Sequence, residues 1–213
     1  MTSMAFRPPV VLQGRWVALV PLSREHLPQL IKAGTDPQIW SYMRYGPRTS
    51  PKSMEELVDL LLRLQEKGTD LAFTTFYRPE GVAVGMTRFL DIHREDRGVE
   101  IGGTWIAPRL WRTPVNTESK YLLLRHAFEV EGCLRVQFKT DLRNVRSQRA
   151  IERLGAVKEG VFRKHMALPN GLVRDSVFYS LTDDDWPTVK ARLEGFLERG
   201  WTERTEEPLG RPE

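Results

Sequence analysis

The chain has 213 residues, 40% of them hydrophobic and 28% charged, and a formal net charge of +4 at pH 7. This length favours one domain with a sizeable core, and so mild a charge excludes a dedicated nucleic-acid binder. No apolar run is long enough to cross a bilayer, so we expect no membrane partner. The single cysteine, Cys133, excludes an internal disulfide. Because the N-terminal segment also lacks the apolar core of a secretory signal, we expect a cytoplasmic protein.

In chain order, the first half of the sequence predicts two helices and four strands. Residues 15–22 alternate apolar and polar side chains, as a half-buried strand does. Ser23 is a favourable helix cap, and the helix after it should reach about residue 33. The other predictions in this half are a loop over 36–50, a helix over 50–68 with a clear apolar stripe, and strands over 71–77, 82–92 and 99–106.

The second half predicts a long helix, a strand, a short helix, a hairpin and a last helix. Thr113 caps the long helix, Pro114 suits its first position, and a buried stripe should extend along it as far as Val130. The remaining predictions are a strand over 134–140, a helix from Asn144 to Gly155, a hairpin of strands over 157–168 and 172–181, a helix over 183–199, and a loosely held tail over 201–213.

These elements predict an α/β (α+β) fold in which a mixed, mostly antiparallel twisted sheet carries helices on both faces. We expect a single domain over residues 1–213, with its core at about 15–181. The crossover from strand 99–106 through the long helix to strand 134–140 should make those two strands parallel. A parallel pair in such a sheet is a place where strands splay apart and admit a ligand.

Two segments carry a family resemblance: Val99-Glu100-Ile101-Gly102-Gly103-Thr104-Trp105-Ile106 with the turn after it, and Asn144-x-x-Ser147 opening a short helix. Their order and residues resemble the GCN5-related N-acetyltransferase (GNAT) superfamily, especially its RimJ/RimL-like branch of ribosomal-protein N-terminal acetyltransferases. The resemblance covers residues 16–181. It implies acetyl-CoA as co-substrate and a primary amine, on a small molecule or a protein N-terminus, as acceptor. Dimers are common in this superfamily, so it also raises the expectation of a homodimer.

The phosphate-binding loop of this superfamily usually has the pattern Gln/Arg-x-x-Gly-x-Gly/Ala, and here Trp111, Pro114 and Asn116 occupy its three anchor positions. Pro114 removes one backbone donor. Amides at the start of a helix still favour a phosphate, although the segment could also be only a well-capped helix. The cofactor-binding residues expected around this loop and on the strand before it are Trp105, Ile106, Arg112, Thr113, Val115, Asn116 and Thr117.

Asn144 and the residues after it resemble the second cofactor segment of the superfamily, in which the asparagine contacts the pantetheine arm. We therefore expect Asn144 and Arg149 to bind the cofactor, while Asn144 could equally serve only as a helix cap. Four arginines crowd this short helix and its entry, and they could meet cofactor phosphates or form a solvated face. They are Arg143, Arg146, Arg149 and Arg153.

Acyl transfer to an amine needs a base for the amine and a proton for the departing thiolate. Glu100 is the predicted base, on a strand face that Gly102 and Thr104 should leave open; its alternative is an exposed strand acid paired with Arg97 or a neighbour. Many members of the superfamily use a tyrosine as the acid, but Ile151 stands there. The resemblance suggests Ser147 instead, unless that serine only stabilises the first helical turn.

Two further expectations concern what the protein lacks and what else it could be. The four histidines are scattered without the spacing of metal ligands, so we predict no metal site. The alternative to an enzyme is a non-catalytic protein of the same fold that binds or senses acyl-CoA. The altered phosphate loop and the missing tyrosine favour that alternative, whereas Glu100, Asn144 and Ser147 favour catalysis.

Overall fold

A single eight-stranded sheet organises the protein, as seen in a computed structural model that describes residues 4–6, 8 and 10–198. Its strand order is β1-β2-β3-β4-β5-β6-β8-β7, and every neighbouring pair except β5–β6 is antiparallel. The strands are β1 Leu12–Gln13, β2 Val17–Pro21, β3 Leu71–Tyr77, β4 Val82–His93, β5 Gly98–Ile106, β6 Arg135–Asp141, β7 Val157–Ala167 and β8 Val173–Thr182. The predicted mixed, mostly antiparallel sheet is thus confirmed.

Helices cover both faces of this sheet, also as predicted. They are α1 Leu27–Ala33, α2 Pro51–Glu66, α3 Pro114–Arg125, α4 Val145–Leu154 and α5 Trp186–Glu198. Side chains of α3, α4 and α5 share the larger core, which also includes Met4 and Phe6 near the N-terminus. The smaller core lies on the opposite face, between α1, α2 and the strands β3 and β4. No helix among the described residues is long and apolar enough to cross a membrane.

The parallel pair is short because a β-bulge bends β5. Strands β5 and β6 pair over only three positions, from Gly98–Arg135 to Glu100–Gln137. Beyond them, two residues of β5, Gly103 and Thr104, lie opposite the single residue Thr87 of β4. Gly103 adopts φ +59°, a left-handed conformation that suits glycine. A bulge of this kind turns a strand, and it leaves β5 and β6 splayed at their carboxyl ends.

Several boundaries differ from the sequence predictions. The long helix changes to a π-helical turn at His126–Val130, and Val130 is 62% exposed instead of continuing the buried stripe. A π turn has more residues per turn than an α-helix, so it rotates Val130 out of register with the preceding stripe. The predicted loop over 36–50 contains a short 3₁₀ helix at Pro37–Trp40. The predicted tail over 201–213 lies outside the described residues.

Candidate active site

The splay between β5 and β6 opens beside a surface cavity of about 340 Å³. The loop after α1, the loop before α3 and the start of α4 together form its walls. The lining residues are Gln38, Ser41, Tyr42, Trp111, Arg143, Asn144, Val145 and Arg146. The two segments that the sequence singled out, one after β5 and one after β6, therefore meet at one opening.

The backbone of β5 directs a polar edge into this splay. The amide of Ala107 donates to Val84 O of β4 at 2.8 Å. Successive residues of a strand direct their backbone groups to opposite sides, so those of Ile106 point away from β4 and towards the cleft. The carbonyl oxygen of Ile106 accepts the Trp111 indole N–H there, at 2.8 Å. The N–H of Ile106 is consequently the candidate donor to a ligand in the cleft.

Trp105, the other predicted residue of this strand, lies in a different environment. Its indole is buried in the smaller core, 5.2 Å from the ring of Trp40. Because it precedes Ile106, its backbone groups point towards β4. Trp105 therefore forms part of the wall behind the cleft, and its indole N–H has no hydrogen-bond partner among the described residues.

The start of α3 offers a ligand fewer amides than a glycine-rich loop would. Pro114 has no N–H, and the amide of Val115 donates to the Thr113 hydroxyl at 3.4 Å. That leaves the amide of Asn116 as the open donor of the first turn. Thr117 is buried, while Arg112 is exposed and adopts φ +65°. One backbone amide and the Arg112 guanidinium are thus the groups present here for binding an anion.

The start of α4 presents side chains to the opposite side of the cleft. Asn144 caps this helix, and its Oδ1 accepts the Ser147 amide at 3.0 Å. This bond leaves the Nδ2 amide group of Asn144 available, so capping and ligand binding are compatible. Among the four arginines near α4, the guanidinium of Arg143 is paired with Asp141 at 2.7 Å, while that of Arg146 stacks 3.6 Å from the Trp111 ring centre. Arg149 is exposed.

Glu100 lies at the base of the splay, at the last paired position of β5. It is 2% exposed, and its Oε2 is 3.0 Å from both Lys139 Nζ and Gln137 Nε2. Burial raises the pKa of the Glu100 carboxyl above its ordinary value, and the Lys139 ammonium opposes that rise. The alternative of an exposed acid is wrong because Glu100 is buried, and Arg97 donates to Gly132 O instead of pairing with it. The pairing with a neighbour is present, and the neighbour is Lys139.

The predicted surroundings of Glu100 need one correction. Gly102 shares its face, but Thr104 does not, because the bulge at Gly103 turns Thr104 to the α3 side of the sheet. There the Thr104 hydroxyl contacts both Thr87 and the ammonium of Lys120. Lys120 is fully enclosed, and burial lowers its pKa to about 7.

Sequence reasoning missed three polar neighbours on the Glu100 face. Lys139, Ser176 and Arg174 lie there, and Ser176 Oγ is 2.9 Å from both His165 Nδ1 and Arg174 Nε. Alternation along β6 could have identified Lys139, since residues 137 and 139 share the face opposite to buried residues 136 and 138. Arg174 gave no comparable signal, because it follows the hairpin turn.

No group of three or more metal-ligating side chains occurs among the residues that the structure describes. Cys133 is 1% exposed, and burial raises the pKa of its thiol to about 12. A thiol with so high a pKa is not a nucleophile at neutral pH. Cys133 is therefore a buried structural residue.

Comparison with known proteins gives consistent results. The sequence profile of the Acetyltransferase (GNAT) domain matches residues 17–157. A protein of known structure from T. thermophilus, provisionally named an acetyltransferase, is 40% identical, with a TM-score of 0.81 and coverage of 89% of this chain and 97% of that one. YdaF of Bacillus subtilis, provisionally named a ribosomal N-acetyltransferase, is 31% identical over 111 residues, 52% of this chain and 60% of its own length. The FsC-acetyl coenzyme A-N(2)-transacetylase of Aspergillus fumigatus is 26% identical over 181 residues, 79% of this chain and 74% of that one.

Proposed function

This chain belongs to the acetyltransferase (GNAT) family, and we propose that it transfers an acetyl group from acetyl-CoA to a primary amine. The observation that carries this proposal is a buried carboxylate, Glu100, at the base of a splayed parallel strand pair whose open end is lined by Asn144. A base, a backbone donor and a helix start then converge on one cleft. Those are the groups that direct acyl transfer from a thioester to an amine requires.

In this mechanism Glu100 removes the proton from the attacking amine. An alkyl amine is mostly protonated at neutral pH, so it must lose a proton before it can attack a carbonyl carbon. The Lys139 ammonium favours the ionised form of Glu100, and Gln137 fixes the orientation of the carboxylate with a 3.0 Å hydrogen bond. The carboxylate accepts the proton directly or through one water molecule.

The charge that develops on the carbonyl oxygen is stabilised by the N–H of Ile106, which points into the cleft. A backbone donor is suited to this task because the sheet holds it fixed before the reaction begins. The hydroxyl of Ser147 donates a hydrogen bond to the departing sulfur and relays to it a proton taken up from water, so that the serine ends the step protonated; it acts in place of the tyrosine that Ile151 replaces. The Ser147 amide is held by Asn144, which fixes the first turn of α4 and with it this hydroxyl.

The residues present fit acetyl-CoA, although its diphosphate would be held in an altered way. When bound, acetyl-CoA supplies the activated acyl group. The Nδ2 group of Asn144 would hold the pantetheine arm. The Asn116 amide is the one open donor of the α3 start, so the diphosphate would depend on arginine side chains, namely Arg112, Arg146 and Arg149. Guanidinium groups bind phosphate oxygens with paired hydrogen bonds and can replace lost backbone donors.

A binding assay and an activity assay together test this proposal. Acetyl-CoA and CoA at about a hundred times their dissociation constants should each stabilise the protein by ~2.7 kcal/mol, whereas ATP should not. Thiol release from acetyl-CoA should then depend on an added amine. Stabilisation by acetyl-CoA and CoA without amine-dependent release of the thiol would favour the non-catalytic sensor. If no ligand shifts the melting curve, both the enzyme and the sensor are excluded.

We also propose a homodimer, formed at the open edge of the sheet. Strand β7 pairs only with β8, and it exposes Val157 and Phe162, 58% and 56% accessible respectively. An unpaired strand edge with exposed apolar side chains favours association with a second copy. Light scattering at several protein concentrations tests this, with a monomer at all of them as the contrary result.

A further inference from the structure

The structure contains a second charged site on the face that carries Glu100, and it lies beyond the groups used for acyl transfer. Helices α1 and α2 pack against β3 and β4 on this face, whereas α4 and α5 lie on the other side of the sheet. Neither α1 nor α2 packs closely on the part of this face formed by β6, β8 and β7, and we call that part the groove. Glu100 and Lys139 lie towards one end, and Arg174 lies at the other.

Arg174 is buried but lacks a counter-ion. It is 6% exposed, and Nε donates to Ser176 Oγ at 2.9 Å. Its terminal nitrogens make no hydrogen bond or ion pair with any residue in the described part of the chain. A buried guanidinium is normally paired with a carboxylate, since an isolated charge is costly away from water. An arginine in this condition is suited to an anion that arrives with a ligand.

The carboxylates near Arg174 are already engaged. Asp141 and Glu100 are the two acids whose charges act on it. Asp141 accepts from Arg143 at 2.7 Å, and Glu100 accepts from Lys139 at 3.0 Å. Lys139 also lies 3.9 Å from the exposed carboxylate of Asp91. Asp141 and Glu100 are thus held by other cations, and neither forms an ion pair with Arg174.

Neighbouring groups add positive charge around Arg174. The charge of Arg44, an exposed residue of the loop that borders the groove, also acts on Arg174. His165 shares the Ser176 hydroxyl with Arg174. Burial lowers the pKa of its imidazole, and the Lys139 and Arg174 charges lower it further. The groove thus offers cations at one end and the proposed base at the other, with no free acid between them among these residues.

We propose that Arg174 binds a carboxylate of the acceptor, so that the substrate is a primary amine bearing a carboxylate several bonds away. This inference rests on the proposed function, and it names the acceptor class of that same site. The separation follows from the register: Gln137 pairs with Glu100, Asp141 pairs with Ser176, and Arg174 lies two residues further. Six strand positions span ~20 Å of backbone, of which the two long side chains bridge a part. The acceptor bridges the rest.

Matched acceptors test this directly. We would measure kcat/KM for glycine, β-alanine, γ-aminobutyrate and ε-aminocaproate, each against the alkylamine of equal chain length that lacks the carboxylate. For the wild type, the longer amino acids should exceed their alkylamines by at least roughly tenfold, the scale of one charge-assisted hydrogen bond. Arg174→Gln should reduce that ratio to about one, while KM for acetyl-CoA stays the same.

This experiment distinguishes a wrong acceptor class from a wrong proposed function and from misfolding of the variant. The ratio of two acceptors measured on one preparation does not depend on how much of the variant folds. Arg109→Gln is the matched control, because Arg109 forms an exposed ion pair with Glu80 and should leave the ratio at the wild-type value. Equal turnover of amino acids and alkylamines, or an unchanged ratio in Arg174→Gln, overturns the inference and leaves the proposed function standing. Bound CoA without turnover of any amino acid also overturns it, and failure of CoA to bind removes the proposed function itself.

Discussion

The guanidinium of Arg146 lies 3.6 Å from the centre of the Trp111 ring, and this contact joins α4 to the loop before α3 at the opening of the β5–β6 cleft. Trp111 is itself fixed, because its indole donates to Ile106 O. An aromatic residue that departs from the family pattern thus holds a cation at the opening. We propose that this stack compensates for the missing glycines of the loop when the cofactor binds.

Removing that cation should weaken cofactor binding. We predict that Arg146→Ala raises the Kd of acetyl-CoA about tenfold or more, the value of a hydrogen bond from a charged group. The remaining affinity should depend less on salt, because one screened charge pair has been lost. Calorimetric titration at two ionic strengths measures both effects. Arg109→Ala is the control, and an Arg146→Ala protein with wild-type Kd would exclude this role.

The pH dependence of the reaction should report the buried state of Glu100. Its pKa lies above the ordinary value of 4.5 because burial disfavours the charged carboxylate. A base must be ionised, so activity should fall as the pH drops through this raised pKa, at a higher pH than an exposed glutamate would give. The profile of kcat/KM against pH measures this limb. A fall in kcat/KM at the ordinary pKa of a glutamate, or no fall at low pH, would contradict the assignment of Glu100 as the base.

Lys120 should make stability depend on pH in a defined direction. Its pKa falls from 10.5 to about 7 on burial, so above pH 7 the unfolded chain holds a proton that the folded chain does not. The free energy of unfolding should therefore rise with pH from 7 towards 9 and level off below 7, where both states hold the proton. Above 9 the Cys133 thiol acts in the opposite direction.

Lys120→Met removes the titrating group and should flatten this dependence. The variant should also be as stable as the wild type at pH 7, or more stable by ~1 kcal/mol, since Thr87 and Thr104 satisfy one another at 2.8 Å. Urea midpoints between pH 7 and pH 9 for the two proteins measure both quantities. A slope that persists in the variant would assign it to another group.

Gly14 is predicted to tolerate no side chain. A Cβ atom there would lie 2.4 Å from Cδ of Glu118, whose carboxylate accepts the amides of Arg15, Trp16 and Val17. Gly14→Ala should displace this carboxylate and destabilise the protein by about 2 kcal/mol. Gly195→Ala in α5 is the matched control, because its Cβ meets nothing within 4 Å; it should be neutral or slightly stabilising. Chemical denaturation of both variants compares them, and equal stability would contradict the prediction.

Much of the fold could be predicted because long elements have strong periodic signals. Alternation of apolar residues, helix caps and turn residues together predict the antiparallel strands β3 to β5, the crossover through α3 and the β7–β8 hairpin. The bulge in β5 was missed, although two adjacent glycines inside a strand are a recognisable signal for one. It decides on which face Thr104 lies. The π turn at His126–Val130 has no such signal in its residue pattern.

Some residues of the candidate site could likewise be predicted from the sequence, and others could not. Glu100, Asn144 and Ser147 could be proposed as site residues because each belongs to a local motif with fixed spacing. Arg174 could not, because its significance depends on which acids Arg143 and Lys139 occupy, and pairings across strands cannot be deduced from one sequence. The Arg146–Trp111 contact likewise joins two segments that only the folded sheet brings together.

The most direct test of the account compares thiol release from acetyl-CoA by the wild type and by Glu100→Gln, with an amine that the wild type accepts. The account predicts amine-dependent release by the wild type and a kcat at least about a hundredfold lower in the variant, the typical contribution of a general base. The variant should remain folded at the assay temperature and keep the wild-type affinity for CoA, although loss of the ion pair with Lys139 should lower its melting temperature. A folded Glu100→Gln protein that binds CoA and turns over at the wild-type rate would contradict the account.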